Sequence, residues 1–224
     1  MTSDAKPDLR HIDTWLFDLD NTLYPAESGF MGEIERRMTD FVARLTGLGR
    51  EAAYALQKTY LTDYGLTLKG LIAHHGVAPA DFHAIFHDMS LDALAHNPQL
   101  LEALGRLPGR RLIFTNADDV HAERVLKHLG LDHLFEGVFH IGSADYAPKP
   151  DPATFARIVT THAITPATTA FFEDSVSNLA PAADLGMTTV LVGFDAGTAT
   201  APFIDHKTDN LASFLSDAQL SEMA

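Results

Sequence analysis

Asp18 and Asp20 stand two residues apart, with Thr22 two further on. Side chains of an extended chain alternate with period two, so the two carboxylates project to one side. One of them can act as nucleophile or metal ligand and the other as acid–base, although a plain acidic loop has the same composition. Thr115-Asn116-Ala117-Asp118 sets a hydroxyl beside backbone amides, which suits an oxyanion or phosphate seat and equally suits a helix cap. Lys149 is clamped between Pro148 and Pro150, as befits an ammonium held at one point over an anion, or a solvated turn. Glu173 and Asp174 follow Phe171-Phe172, with Asn178 one helical turn later. Two acids behind two phenylalanines are costly unless a cation meets them, and oxygen-only ligands suit magnesium. The same pair would also serve as a helix N-terminal charge pair.

The elements that must carry these clusters are legible as short, bounded apolar runs. They cover residues 14–19, 111–115, 137–141, 169–172 and 188–192, and read as strands covered on both faces. Helical patterns separate the later ones, over residues 120–129, 152–159 and 175–185. Alternation of this kind predicts an α/β fold: a doubly wound, Rossmann-like parallel sheet. Residues 26–94 interrupt it with no convincing strand. Ile34, Met38, Phe41, Val42 and Leu45 recur at helical spacing, a second stripe begins at Ala55, Leu56, Thr59 and Tyr60, and a short helix follows over 79–88. The expected organisation is a core of residues 11–25 and 95–224, an all-helical cap over 26–94 inserted after the first strand, and disorder over 1–10. The last thirty residues read as one strand-to-helix return and a short helix near 210–216.

All four clusters fall at the carboxyl ends of predicted strands or just beyond them. That edge of an open parallel sheet is where ligands bind. As an ordered set they resemble the motifs of the haloacid dehalogenase superfamily across the whole chain. Asp18-x-Asp20-x-Thr22 is similar to its first motif, Thr115-Asn116 to its second, Lys149 to its third, and Glu173-Asp174 with Asn178 to its fourth. The resemblance implies an aspartyl-phosphate mechanism with Asp18 as nucleophile and Asp20 as acid–base. It implies magnesium held by Asp18, the Asp20 carbonyl and Asp174, with Glu173 direct or behind. It also implies phosphoryl binding by Asn21, Thr22, Thr115, Asn116 and Ala117, with Lys149 neutralising charge. Asp20 favours a phosphatase over a dehalogenase, because an alkoxide leaving group needs a proton and a halide does not.

Phe17-Asp18-Leu19-Asp20-Asn21-Thr22-Leu23-Tyr24-Pro25, the helical insertion with Tyr64 to Leu71 inside it, and the wording around Glu173 resemble the pyrimidine 5′-nucleotidase branch more narrowly. That branch hydrolyses UMP, CMP and related monophosphates. A phosphosugar phosphatase or phosphoglucomutase-like enzyme shares Glu173-Asp174-Ser175, and a non-catalytic binding module is a more distant alternative. Tyr24, Phe30, Tyr64, Thr67 and Lys69 are candidates for substrate contact, with Tyr64 and Lys69 foremost; Phe30 and Tyr64 serve equally as cap core. His83 and His87 have the i, i+4 spacing of a metal pair but lack the surrounding motif, and the dispersed His121, His128, His133 and His140 read as surface or helix-end residues.

Composition agrees with this reading. The 224 residues carry 16 Lys plus Arg against 30 Asp plus Glu, a formal charge of −14, which argues against a nucleic acid polymer or an anionic membrane as partner. The absence of cysteine removes thiol catalysis and zinc–thiolate sites. The N-terminus has no apolar run behind a basic stretch, so the expected location is cytoplasmic. Five acids, Asp18, Asp20, Asp118, Glu173 and Asp174, fall at or near one predicted site, where a divalent cation would reverse the local charge.

Overall fold

The computed structural model describes residues 6–221. Its strands are β1 (Thr14–Phe17), β2 (Arg110–Phe114), β3 (Gly137–Phe139), β4 (Thr169–Glu173), β5 (Thr188–Val192) and β6 (His206–Thr208). All pair in parallel, in the order β3-β2-β1-β4-β5-β6. This is the doubly wound order, whose switch point lies between β1 and β4. Both strands are buried along their whole length, as a sheet covered on both faces requires.

The alternation of side chains sends Phe171 and Phe172 to opposite faces of β4. Phe172 stacks on Phe17 at 4.6 Å between ring centroids, with Trp15 and Phe214 beyond it. On the other face Phe171 meets Phe114 and Phe155, and Phe114 reaches Phe139, in a cluster completed by Leu16, Ile158 and Leu179. These aromatics, all buried except the half-buried Phe214, pack on both faces of the central strands. Gly109 lets β2 start against β1: its φ is 77°, and a Cβ there would fall 2.0 Å from the Asp13 carbonyl oxygen.

The chain divides into two compact units, residues 27–94 and the remainder. In the first, helices α1 (Phe30–Thr46), α2 (Arg50–Tyr64), α3 (Thr67–His75) and α4 (Pro79–His83) are followed by a 3-10 turn over Ala84–Phe86. The face that α2 buries is Ala53, Gln57 and Tyr60, whereas Ala55 and Thr59 are exposed. The stripe read from the sequence was therefore displaced. Gln57 breaks the apolar pattern because its amide oxygen accepts a buried hydrogen bond from Thr39 at 2.7 Å. Gly70 permits the close packing of α3 on Tyr60, whose ring carbon would lie 2.3 Å from an added Cβ.

In the sheet unit, α5 (Pro98–Gly105), α6 (Asp119–Leu129), α7 (Pro152–Thr161), α8 (Val176–Asp184) and α9 (Leu211–Asp217) complete the layers. No helix among the described residues is long and apolar enough to cross a membrane. The disorder expected over 1–10 falls partly outside the described residues. Of the rest, Leu9 is fully buried and Asp8 bridges to Gln219, so order begins before residue 10. The apolar side chain of Leu9 supplies the burial that keeps this segment in place.

Candidate active site

Asp18 follows β1 directly. Its N–H donates to the Phe172 carbonyl at 2.9 Å, so the β1–β4 ladder runs one residue past the strand and fixes the carboxylate at the switch point. Beyond it the chain turns sharply, with Asn21 at a φ of 62°, a conformation that asparagine tolerates. The turn brings the Thr22 hydroxyl back to Asp18 Oδ2 at 3.1 Å.

Lys149 reaches the same point from the loop before α7. Its Nζ donates to Asp18 Oδ1, Glu173 Oε2 and the Phe114 carbonyl, each at 2.7 Å. All three protons of the ammonium are thereby used, and the rings of Phe114 and Phe171 lie 5.0 and 5.3 Å from it. The peptide bond from Lys149 to Pro150 is cis. Asn116 pins the lysine backbone from the end of β2: its Oδ1 accepts from Lys149 N–H at 2.8 Å and its Nδ2 donates to the Lys149 carbonyl at 3.2 Å. Thr115 is buried, and its hydroxyl accepts from Ala117 N–H at 3.0 Å, so that amide is engaged within the turn. The cap of α6 is Asp118, which accepts from His121 N–H at 3.1 Å.

Glu173 ends β4. Its second oxygen accepts from Ser175 N–H at 3.1 Å, and the neighbouring Asp174 accepts from Asn21 Nδ2 at 3.3 Å. Asn178 lies in the first turn of α8, its N–H donating to the Ser175 carbonyl at 3.1 Å. Carboxylate oxygens of Asp18, Glu173 and Asp174 lie within 4.8 Å of one another. Burial pushes the Asp18 carboxyl up to about 7; Glu173 and Asp20 add to the rise and Lys149 opposes it. Burial likewise raises Glu173 to about 7 against the pull of Lys149, and raises Asp174 as well. Lys149 is held above its usual value, because Asp18 and Glu173 together outweigh its burial. One buried ammonium thus faces three acids, a deficit of positive charge. Asn21 Oδ1, beside Asp174, is buried without a hydrogen-bond donor. An all-oxygen donor set with excess negative charge and an unused acceptor fits a hard divalent cation.

Asp20 is held apart from this cluster. Its Oδ1 accepts from Tyr24 Oη at 2.5 Å and lies 2.9 Å from His121 Nε2. Burial pushes the carboxyl up, but His121 and Tyr24 outweigh it and leave Asp20 below the usual carboxylate value. Burial also works against a charged His121, and Asp20 overcomes it, so the imidazole is raised.

His121 was expected at the surface or at a helix end; it stands at a helix end, in the first turn of α6, but is 4% exposed and bound to the acid–base candidate. It occupies the third position of α6, the helix that follows β2, and that placement was the available signal. Tyr24, a candidate for substrate contact, is committed to Asp20. Tyr64 and Lys69 belong to the helical unit. The Tyr64 hydroxyl is hydrogen-bonded to His74 Nε2 at 2.6 Å, and Lys69 lies half-buried in the first turn of α3 rather than in a free turn. Thr67 and Phe30 are buried there, Thr67 donating to the Gln57 carbonyl at 3.3 Å. The spacing of His83 and His87 is not carried by one α-helix, because α4 ends at His83 and tightens into the 3-10 turn.

An open parallel sheet that gathers acids and a lysine at its switch point is a doubly wound α/β fold, whose strand ends are where such folds bind ligands. The chain belongs to the haloacid dehalogenase-like hydrolases, a family it matches over residues 12–186. It is 28% identical over 222 residues to phosphate metabolism protein 8 of Saccharomyces cerevisiae, covering 91% of this chain and 69% of that protein. Among solved structures it shares its fold with a HAD phosphatase from Thermococcus onnurineus, at a TM-score of 0.64 and 20% identity over 92% of this chain and 99% of the other. CbbY from Rhodobacter sphaeroides in complex with phosphate gives 0.63 and 21%, over 92% and 99%. The L-2-haloacid dehalogenase from Xanthobacter autotrophicus gives 0.54 and 18%, over 92% and 97%.

Proposed function

We propose that the protein is a phosphomonoesterase that works through Asp18, with pyrimidine nucleoside 5′-monophosphates as its substrates. One observation carries the reading: two carboxylates at one strand end, Asp18 buried and Asp20 half-buried, have opposite surroundings. Asp18 is held by Lys149 and Thr22 among other acids, while Asp20 is held by Tyr24 and His121. Carboxylates set apart by environment are how one site runs nucleophilic and acid–base chemistry together.

A carboxylate oxygen of Asp18 attacks phosphorus, forming the aspartyl-phosphate bond as the ester P–O bond breaks. Asp20 gives its proton to the departing alkoxide. The arriving phosphoryl group places like charge beside Asp20 and favours its taking up that proton beforehand. Asp20 then removes a proton from water as the water attacks phosphorus and expels the Asp18 carboxylate, leaving inorganic phosphate. Lys149 offsets charge at Asp18 throughout, and Thr115 with the Asn116 backbone seats phosphoryl oxygens at the end of β2. Asp18, Asp174 and the Asp20 carbonyl would hold magnesium, with Glu173 behind them, bound by Lys149 and Ser175. When bound, magnesium neutralises phosphoryl oxygens and balances the three acids.

The name of the yeast relative and the phosphate in the CbbY complex support phosphate chemistry. Asp20 supports ester over halide hydrolysis, since a positioned acid contributes about 10²–10⁴-fold where the leaving group needs a proton. The nucleotide assignment rests on resemblance in the wording of residues 17–25, in the helical insertion with residues 64–71, and around Glu173. A panel of nucleoside and sugar monophosphates with magnesium tests it, with UMP and CMP expected to turn over best. Faster turnover of sugar phosphates would replace the nucleotide by a sugar ester. Undiminished activity in Asp18→Asn would remove the mechanism itself.

A further inference from the structure

We infer that His121 and Tyr24 are positioning residues that pin Asp20 through a single oxygen, so that its transferable proton is carried on the other. The inference rests on the phosphatase reading above. Tyr24 Oη and His121 Nε2 converge on Asp20 Oδ1 from two chain segments about a hundred residues apart, at 2.5 and 2.9 Å. A carboxylate oxygen has two lone pairs, and two donors occupy both. The terminal torsion of a free aspartate is broad and nearly two-fold, so an untethered carboxylate would exchange its oxygens. Here rotation would break both bonds at once, and Oδ2 is left to give and take the proton.

The two donors are themselves fixed. Both residues are buried, at 3% and 4% exposure. His121 stands in the first turn of α6, where its own N–H is bound to the Asp118 side chain at 3.1 Å. Tyr24 lies four residues beyond Asp20, on the turn closed by the Leu23 N–H to Leu19 carbonyl bond at 3.0 Å. Asp118 thus acquires a place in the chain of support: it caps α6 and sets the histidine at the height of Asp20.

Tyr24→Phe removes one hydroxyl and His121→Leu removes the other donor, while His121→Gln keeps an N–H in reach. Each variant is assayed with magnesium on an alkyl ester, UMP or glycerol phosphate, and on p-nitrophenyl phosphate, whose phenolate leaves without a proton. The alkyl ester rate is expected to fall by about 10- to 100-fold in Tyr24→Phe and in His121→Leu, up to the lower end of what a positioned general acid contributes, since Asp20 itself remains. Phenolate release should begin with a burst equal to the enzyme concentration, because Asp20 must also activate water for the second step. His121→Gln should restore most of the alkyl rate. An equal loss on both esters without a burst, or no loss on either, would overturn the inference. Tyr24→Phe alone decides it if His121→Leu does not fold. Failure of the phosphatase reading shows separately, as a wild type inert on both esters.

Discussion

Replacing Lys149 by methionine keeps the length and apolar stem of the side chain and removes its charge. The ammonium is 2.7 Å from Asp18 and from Glu173, and the side chains of Lys149 and Glu173 are each only 1% exposed. Its loss leaves two buried carboxylates facing each other, with Asp174 beside them and no ammonium between. Removing one partner of a buried ion pair costs about 3–5 kcal/mol, because the remaining charge stays desolvated. For a chain of this size that is a fall in Tm of about 6–20 °C. The assay is thermal unfolding in the presence of chelator, so that no divalent cation replaces the lysine. Without the ammonium both carboxyls are raised further, so the folded state clings to protons that the unfolded chain releases. The deficit should therefore be largest at pH 8 and shrink toward pH 4. The companion variant Asp18→Asn/Lys149→Met/Glu173→Gln removes the charges along with the lysine and should recover more than half of the loss. A single variant melting within about 2 °C of wild type at pH 8 would refute the reasoning, as would a triple variant no more stable than the single one.

Two further outcomes follow from the same site. Asp18 and Glu173 are both raised to about 7 from ordinary values of 3.8 and 4.5. A raised carboxyl favours the protonated folded state, so stability without metal falls as pH climbs from the unfolded values toward 7 and levels off above. Magnesium should accordingly raise Tm more at pH 8 than at pH 5, read by thermal melts with and without chelator; equal shifts would contradict the assignment of these acids to the cation. Asn116→Ala removes two hydrogen bonds to the Lys149 backbone, at a cost of about 1–3 kcal/mol in stability. Its phosphatase kcat should fall by more than that loss of stability alone produces in the folded fraction, because the lysine is released from its seat; kinetics and melts on one preparation separate the two.

The sheet was legible because β1, β2, β4 and β5 are short apolar runs with polar ends, the pattern that burial on two faces imposes. β6 was read only as a strand-to-helix return somewhere in the last thirty residues, because His206, Lys207 and Thr208 form a half-exposed edge strand with no apolar face. In α2 the polar pair of Gln57 and Thr39 took the place of an apolar contact and displaced the expected stripe. At the site, strand ends were readable one by one, and the structure brings Asp18, Lys149 and Glu173 together from three distant segments. The attachment of Asp20 was not readable. Tyr24 lies within the wording of residues 17–25 and His121 near a helix start, but neither signal points to Asp20, and their convergence on one oxygen exists only in space.

The position of β1 bears on how the chain is made. It lies at the centre of the sheet between β2 and β4, and Trp15, Leu16 and Phe17 within it are fully buried. Both of its neighbours are encoded far downstream, β4 about 150 residues later. At about 5–20 residues per second, the ribosome delivers the second partner on the order of ten seconds after the first strand. Until β2 emerges, about 95 residues after it, this buried apolar strand waits without any ladder partner, and until β4 emerges it has only one. Asp13, Asp18 and Asp20 flank it, and charges at the ends of an apolar strand act as gatekeepers against self-association. Two of the three, Asp18 and Asp20, are the carboxylates proposed above for chemistry, so residues that would serve the finished site would also guard its central strand while the rest of the sheet is still being translated.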